Sequence, residues 1–251
     1  MENIISNTAC AMDIFPLGET AVRVVFGDRI HPDIHRHVET FAKCLDRNGF
    51  PGMIEYVPSY CAITVFYQPD IAAGAASADD RLHDRAASDI VAAWLRQMGA
   101  LANGNAPERP VTVEIPVCYG GSFGPDLEAV AAYHQMSADE VISVHAGGQY
   151  LVYTIGFAPG FPYLGGLSER IATPRRPTPR VSVAPGSVGI GGSQTGIYPI
   201  STPGGWQLIG RTPAALFRPE LQPPSLLQAG NIVKFRPISP EEYEAYEEGG
   251  I

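Results

Sequence analysis

The stretch from Arg170 to Pro219 contains no aspartate or glutamate, although the chain carries 26 of them. It holds Arg170, Arg175, Arg176, Arg180, Arg211 and Arg218, while lysine occurs only at Lys43 and Lys234. The local cationic charge is therefore purely guanidinium. A guanidinium keeps its charge at any ordinary pH and presents a planar fork of donors that matches carboxylate and phosphate oxygens. Nearby glycines let backbone N–H groups approach an anion closely. The block predicts a surface for a carboxylate, a carboxylated intermediate or a phosphate, and it excludes a catalytic carboxylate pair drawn from its own residues. Acid–base work there would fall to His145, Tyr198, Tyr163, Ser193 or Thr195, or to groups from another chain. His145 stands near a predicted helix C-terminus, where the helix dipole favours the imidazolium, so capping and a titrating role are both open to it.

Other chemical motifs are weaker. Neither lysine follows a glycine run, so no phosphate-binding loop is present, and Gly189-Ile190-Gly191-Gly192-Ser193-Gln194 lacks the last glycine of a dinucleotide fingerprint. Gly192-Ser193-Gln194-Thr195-Gly196 departs from the serine-hydrolase elbow. His31, His35 and His37 form an HxxxHxH cluster without a third ligand at matching spacing. With Pro32 marking a helix start, they read as a solvated first turn, and no metal site is expected. Trp206, after Gly204-Gly205, reads as a core anchor.

The elements that must position these residues are legible as periodic patterns. Ala21 to Phe26 is rich in β-branched residues. Ile34, Val38, Phe41 and Leu45 form a helical stripe that stops at Asn48-Gly49. Met53 to Val57 and Cys61 to Tyr67 read as strands around Pro58-Ser59. Ile71 to Ala78 reads as a loop, and Asp79 to Met98 as a helix with Leu82, Ala86, Ile90 and Trp94 stacked and Gly99 at its end. The order suggests an α+β sandwich with helices on one face of a mostly antiparallel sheet. Asn103 to Pro107 is polar and turn-prone, and is the expected boundary between domains at 1–104 and 105–251. Beyond it, Val111, Val113, Ile115 and Val117 alternate as a strand. Pro125-Asp126 opens a helix to about Gln135, and Ser137 with Glu140 forms a capping-box pattern. The 64 residues from Gly147 to Gly210 hold 14 glycines and 8 prolines. Their short apolar runs, Tyr150 to Ile155, Val181 to Val183, Val188 to Ile190 and Trp206 to Ile209, predict a small β-barrel or sandwich.

Composition narrows the partners. The chain has 251 residues and a formal charge of −9, which disfavours non-specific binding to nucleic acid or a membrane surface. Its apolar runs fall short of the ~20 residues of a membrane helix. Four scattered cysteines without a CxxC point away from disulfides and structural zinc, and toward the cytoplasm.

Taken in order, the segments Gly156 to Gly166, Pro174-Arg175-Arg176, Pro179-Arg180, Gly186-Ser187-Val188, Gln194 to Pro199, Pro203 to Trp206 and Gly210 to Pro213 resemble one family. It contains the B subunit of bacterial ATP-dependent 5-oxoprolinase, the sporulation-kinase inhibitor KipI and allophanate hydrolase subunit 1, and is similar to subdomains C and D of the urea carboxylase carboxyltransferase. Pro16 to Glu19 and Ile54 to Tyr60 agree with it, while Ala184-Pro185 reverses the family's usual order. The resemblance implies a ferredoxin-like α+β sandwich followed by a cyclophilin-like β-barrel. It also implies work beside the A and C subunits in opening 5-oxo-L-proline to L-glutamate, with ATP used by the complex. The alternatives are a carboxyltransferase-type subunit acting on urea or a related amide, and a non-enzymatic kinase inhibitor docking through Gly156 to Gly166 or the barrel. On this reading Arg175, Arg176, Arg180 and Gln194 bind a small carboxylate substrate, with Gln194 bonding an amide in both directions. His145, Tyr198 and Thr195 are the catalytic candidates.

Overall fold

A computed structural model describes residues 12–77, 79, 85–102 and 110–249. The chain divides into two units, Met1–Arg109 and Pro110–Ile251. The boundary expected at Asn103 to Pro107 lies outside the described residues.

In the first unit the apolar stripe of Val38, Phe41 and Leu45 does form one face of a helix, α1 (Pro32–Arg47). Pro32 starts it and His31 caps it, accepting from the Asp33 N–H. The sheet comprises β1 (Asp13–Pro16), β2 (Ala21–Val25), β3 (Met53–Pro58) and β4 (Ala62–Tyr67), ordered β1-β2-β4-β3 and antiparallel throughout. The leading strand takes the edge that the closing strand holds in a ferredoxin-like sandwich. Val22, Val24, Ile63, Val65 and Tyr67 pack against Val38, Phe41 and Leu45, and against Val91 and Leu95 of α3 (Ala87–Ala102).

Three local expectations change. Part of the stretch read as a loop from Ile71 is a short helix, α2 (Pro69–Gly74), started by its proline and held by buried Ala72. The helix read from Asp79 includes residues outside those described, Leu82 among them. Gly99 does not end it: α3 continues to Ala102, and the missing side chain leaves room for Met12. His35 is fully buried beside Glu39, so the histidine turn is not simply solvated.

The second unit is built on period-two alternation. Seven strands close a barrel in the order β10-β7-β6-β13-β5-β12-β9, with β9 pairing β10. They are β5 (Thr112–Tyr119), β6 (Tyr150–Ile155), β7 (Pro162–Gly165), β9 (Ser187–Gly191), β10 (Gln194–Ile197), β12 (Gln207–Arg211) and β13 (Ile232–Pro237). A separate ribbon pairs β8 (Arg180–Val183) with β11 (Thr202–Gly204). The barrel core is Ile115, Val117, Val152, Leu164, Val188, Ile190, Ile197, Ile209, Val233 and Phe235. Two helices, α4 (Leu127–Tyr133) and α5 (Ala138–Ala146), add Val130 and Val141 to that core. The capping box at α5 is complete: Ser137 N–H donates to Glu140 Oε2 at 2.8 Å and Glu140 N–H to Ser137 Oγ at 3.2 Å. The last helix is α6 (Pro240–Gly249).

Strand β13 closes the seam by pairing parallel with β5, from Ile232 beside Thr112 to Pro237 beside Val117, and antiparallel with β6. Phe235, 3% exposed, is its main core contribution. Phe235→Ala should cost about 3–5 kcal/mol, read as a lower urea midpoint.

Candidate functional site

The glycines of the Gly/Pro/Arg block make a seat for one aromatic ring. A Cβ built on Gly191 would lie 2.5 Å from Trp206 Nε1, one on Gly196 2.9 Å from Trp206 Cζ3, and one on Gly189 3.2 Å from Trp206 Cβ. No side chain fits at Gly191 or Gly196 without moving the indole, and one at Gly189 would press on the Gln207 carbonyl and the Trp206 Cβ. Trp206 therefore lies against the outside of β9 and β10, packed with Phe161, Val183, Tyr198 and Leu208. Phe161 and Tyr198 meet it edge to face at 5.9 and 6.1 Å between ring centres. At the rim, Phe157 is 69% exposed with φ of 69°, a left-handed conformation that costs about 1–3 kcal/mol in a non-glycine residue.

The three central arginines meet the Gly205–Trp206 segment that carries this ring. The Arg175 guanidinium carbon stands 5.8 Å from the Trp206 ring centre, a cation–π distance. Arg180 Nη1 donates to Trp206 O at 3.4 Å, and Arg176 N–H donates to Gly205 O at 2.7 Å. Gln207 Nε2 holds Pro174 O at 2.9 Å. The guanidiniums are not unopposed, which corrects the expectation from the charge pattern. Asp126 Oδ1 accepts from Arg176 Nη1 at 3.0 Å and from Arg180 Nη2 at 2.8 Å, and Asp126 Oδ2 accepts the Leu208 N–H at 2.7 Å. The countercharge comes from just ahead of α4, within the same unit. Three guanidiniums against one carboxylate still leave two positive charges on this face.

The remaining candidates separate into two settings. Tyr198 belongs to the aromatic cluster, and burial raises its phenol while the Trp206 backbone bond, Arg175 and Arg180 pull the other way. It stays protonated and is a donor at neutral pH. Gln194 shares its side of β10 with Gly196, by strand alternation, and so faces outward beside the Trp206 seat. Thr195 faces the interior. There Tyr119 Oη lies 2.8 Å from His145 Nδ1, His145 Nε2 lies 2.9 Å from Thr195 Oγ1, and Thr195 Oγ1 donates to Gly189 O at 3.0 Å. The threonine has one proton and the carbonyl takes it. His145 must then donate from Nε2 and accept at Nδ1 from Tyr119, so its ring has no free lone pair. Burial pushes the His145 pKa down to about 3, so the imidazole is neutral rather than the expected imidazolium. Phe235 stacks on it at 4.5 Å.

Residues 12–227 match the family described as carboxyltransferase domain, subdomain C and D. The chain belongs to that family. It is 48% identical over 237 residues to the 5-oxoprolinase B subunit of Bacillus subtilis, covering 92% of this chain and 95% of that one. Among solved structures, TTHA0988 superposes with a TM-score of 0.70 at 32% identity, covering 87% of this chain and 40% of that longer one. The conserved uncharacterized protein PH0987 from Pyrococcus horikoshii superposes at 0.52 with 42% identity, covering 92% of this chain and all of its own.

Within this subdomain C and D fold, Arg175, Arg176, Arg180, Gln194 and Tyr198 gather on one outer face of the barrel. His145 and Thr195 do not: they form an interior lock behind it. Sequence reasoning missed Asp126. The only local signal was an aspartate at a helix start, where capping is the ordinary explanation.

Two outcomes follow from the geometry. Gly191→Ala in a Trp94→Phe background should push the indole off its seat, lower stability by about 1–3 kcal/mol and shift Trp206 fluorescence toward that of exposed tryptophan. The unfolded chain takes up a proton at His145 below pH 6.5, which the folded chain refuses until about pH 3. Stability is therefore full above that range and falls as pH drops through it, by about 2 kcal/mol between pH 7 and pH 5. His145→Gln should flatten this part of the thermal-melting profile against pH.

Proposed function

We propose that this chain is the B subunit of an ATP-dependent 5-oxoprolinase, acting in the cytoplasm with the A and C subunits to open 5-oxo-L-proline to L-glutamate. The observation that carries this reading is the near full-length likeness to the Bacillus subtilis protein of that name. The geometry agrees with it. A face with two surplus positive charges suits a small carboxylate, and Gln194 can donate to a lactam carbonyl and accept from a lactam N–H. The protonated Tyr198 hydroxyl can donate to an oxygen that gains charge as the ring opens. No described helix is long and apolar enough to cross a membrane, and Cys44, Cys61 and Cys118 are free thiols.

ATP does not fit the glycine run of this chain. Gly189 to Gly191 lie within β9, paired with β10 and β12 rather than looped around a phosphate, and the Trp206 indole covers Gly191. On this reading the nucleotide and any catalytic carboxylates would come from the partner subunits. The fraction of TTHA0988 that this chain matches leaves most of that longer chain for other domains, which accords with a subunit that works as a part.

Purified alone, the chain should not consume 5-oxoproline. Added to the A and C subunits it should restore ATP-dependent loss of 5-oxoproline, measured by glutamate release. Arg175→Ala with Arg176→Ala should raise the KM for 5-oxoproline about tenfold or more, as loss of charged hydrogen bonds to a bound anion requires. Full activity of the A and C subunits without this chain would defeat the reading.

A further inference from the structure

Asp126 occupies the N-cap of α4, yet its side chain makes no cap hydrogen bond. An aspartate there ordinarily accepts from the helix's own N–H groups. Here the carboxylate turns away from the helix, and the residue is only 5% exposed. One oxygen takes the Leu208 N–H of β12, the other takes both Arg176 and Arg180, and the Asp126 N–H itself donates to Leu208 O at 2.9 Å. A local preference has been given up for a longer-range one, which marks a residue held for its place in a site.

We propose that Asp126 is a positioning residue for the anion-binding face, fixing the angle and separation of the Arg176 and Arg180 guanidiniums before a ligand arrives. The inference rests on reading that face as the substrate-carboxylate site. Two flexible cationic side chains repel and lose rotamer freedom when an anion gathers them. One carboxylate between them removes both obstacles and uses only part of each fork. Arg176 turns Nη1 to Asp126, and its Nε–H is buried without a hydrogen-bond partner. Arg180 also reaches Trp206 O, which ties the pair to the strand carrying the indole. The opposite possibility is sharp. If Asp126 merely filled the anion's place as an internal countercharge, neutralising it would strengthen anion binding.

The test is steady-state kinetics of the complex of the A and C subunits with full-length variants of this chain. Asp126→Asn should raise the KM for 5-oxoproline about tenfold while kcat changes less than about twofold. Asp126→Glu, which restores the charge, should recover part of that loss. An unchanged or lowered KM in Asp126→Asn overturns the proposal. The arginine variants separate the two failures. If they raise KM and Asp126→Asn does not, the positioning role alone is wrong; if none of them raises it, the anion-site reading is wrong. Should Asp126→Asn not fold, as judged by circular dichroism, NMR of the wild-type guanidiniums decides. Hindered rotation at Arg176 and Arg180, but not at Arg175, supports the proposal, and free rotation at all three overturns it.

Discussion

One buried carboxylate ties together parts of the chain that lie 50, 54 and 82 residues apart. Asp126 meets Arg176, Arg180 and the backbone of Leu208 at those separations. Removing it would leave the buried Leu208 N–H without its acceptor and two part-exposed guanidiniums without their countercharge. The segment from Pro174 to Arg180 has almost no regular structure of its own. Its shape depends on this clasp, on the Gly205 and Trp206 carbonyls and on Gln207.

The charge pattern and the glycine pattern of the same block have one explanation. Glycine at 191 and 196 leaves a flat surface on the barrel wall that the Trp206 indole fills, and glycine at 189 lets the Trp206 Cβ approach. The π-face of that ring favours a cation, supplied by Arg175. Acidic residues within the block would compete for the arginines at short range, whereas a single carboxylate delivered from outside it sets their geometry and leaves positive potential over. Behind the wall, Tyr119, His145 and Thr195 satisfy one another and hold β10 against α5 from within. In the arrangement that satisfies all three groups, both His145 ring nitrogens are hydrogen-bonded and the imidazole is neutral.

Much of this was legible from residue types and spacing. The stripe of Val38, Phe41 and Leu45, the Ser137–Glu140 box and the run Tyr150–Ile155 became α1, the start of α5 and β6 because local periodicity and capping agreed with tertiary burial. The short strands β7, β10 and β11 were not visible. Each is only three or four residues long and interrupted by glycine or proline, and its pairing is set by partners in other segments rather than by side-chain alternation. The arginine cluster was visible as composition, but its countercharge was not. Asp126 looks like any helix cap, and nothing in one dimension says that its carboxylate turns the other way. His145 misleads for a related reason: position near a helix end suggests a cation, while burial in the barrel, which only the fold reveals, enforces neutrality.

The parallel seam between β5 and β13 has a consequence for how the molecule is made. The two strands stand at opposite ends of the second unit, so the barrel cannot shut until the ribosome has delivered Lys234 and Phe235. Contacts that span so much chain form late and slowly. The first unit, whose pairings are local, is free to fold while the rest is still being synthesised. A chain truncated before Ile232 would thus lose more than a tail. It would present an unclosed sheet with two bare edges, open to aggregation and to proteases.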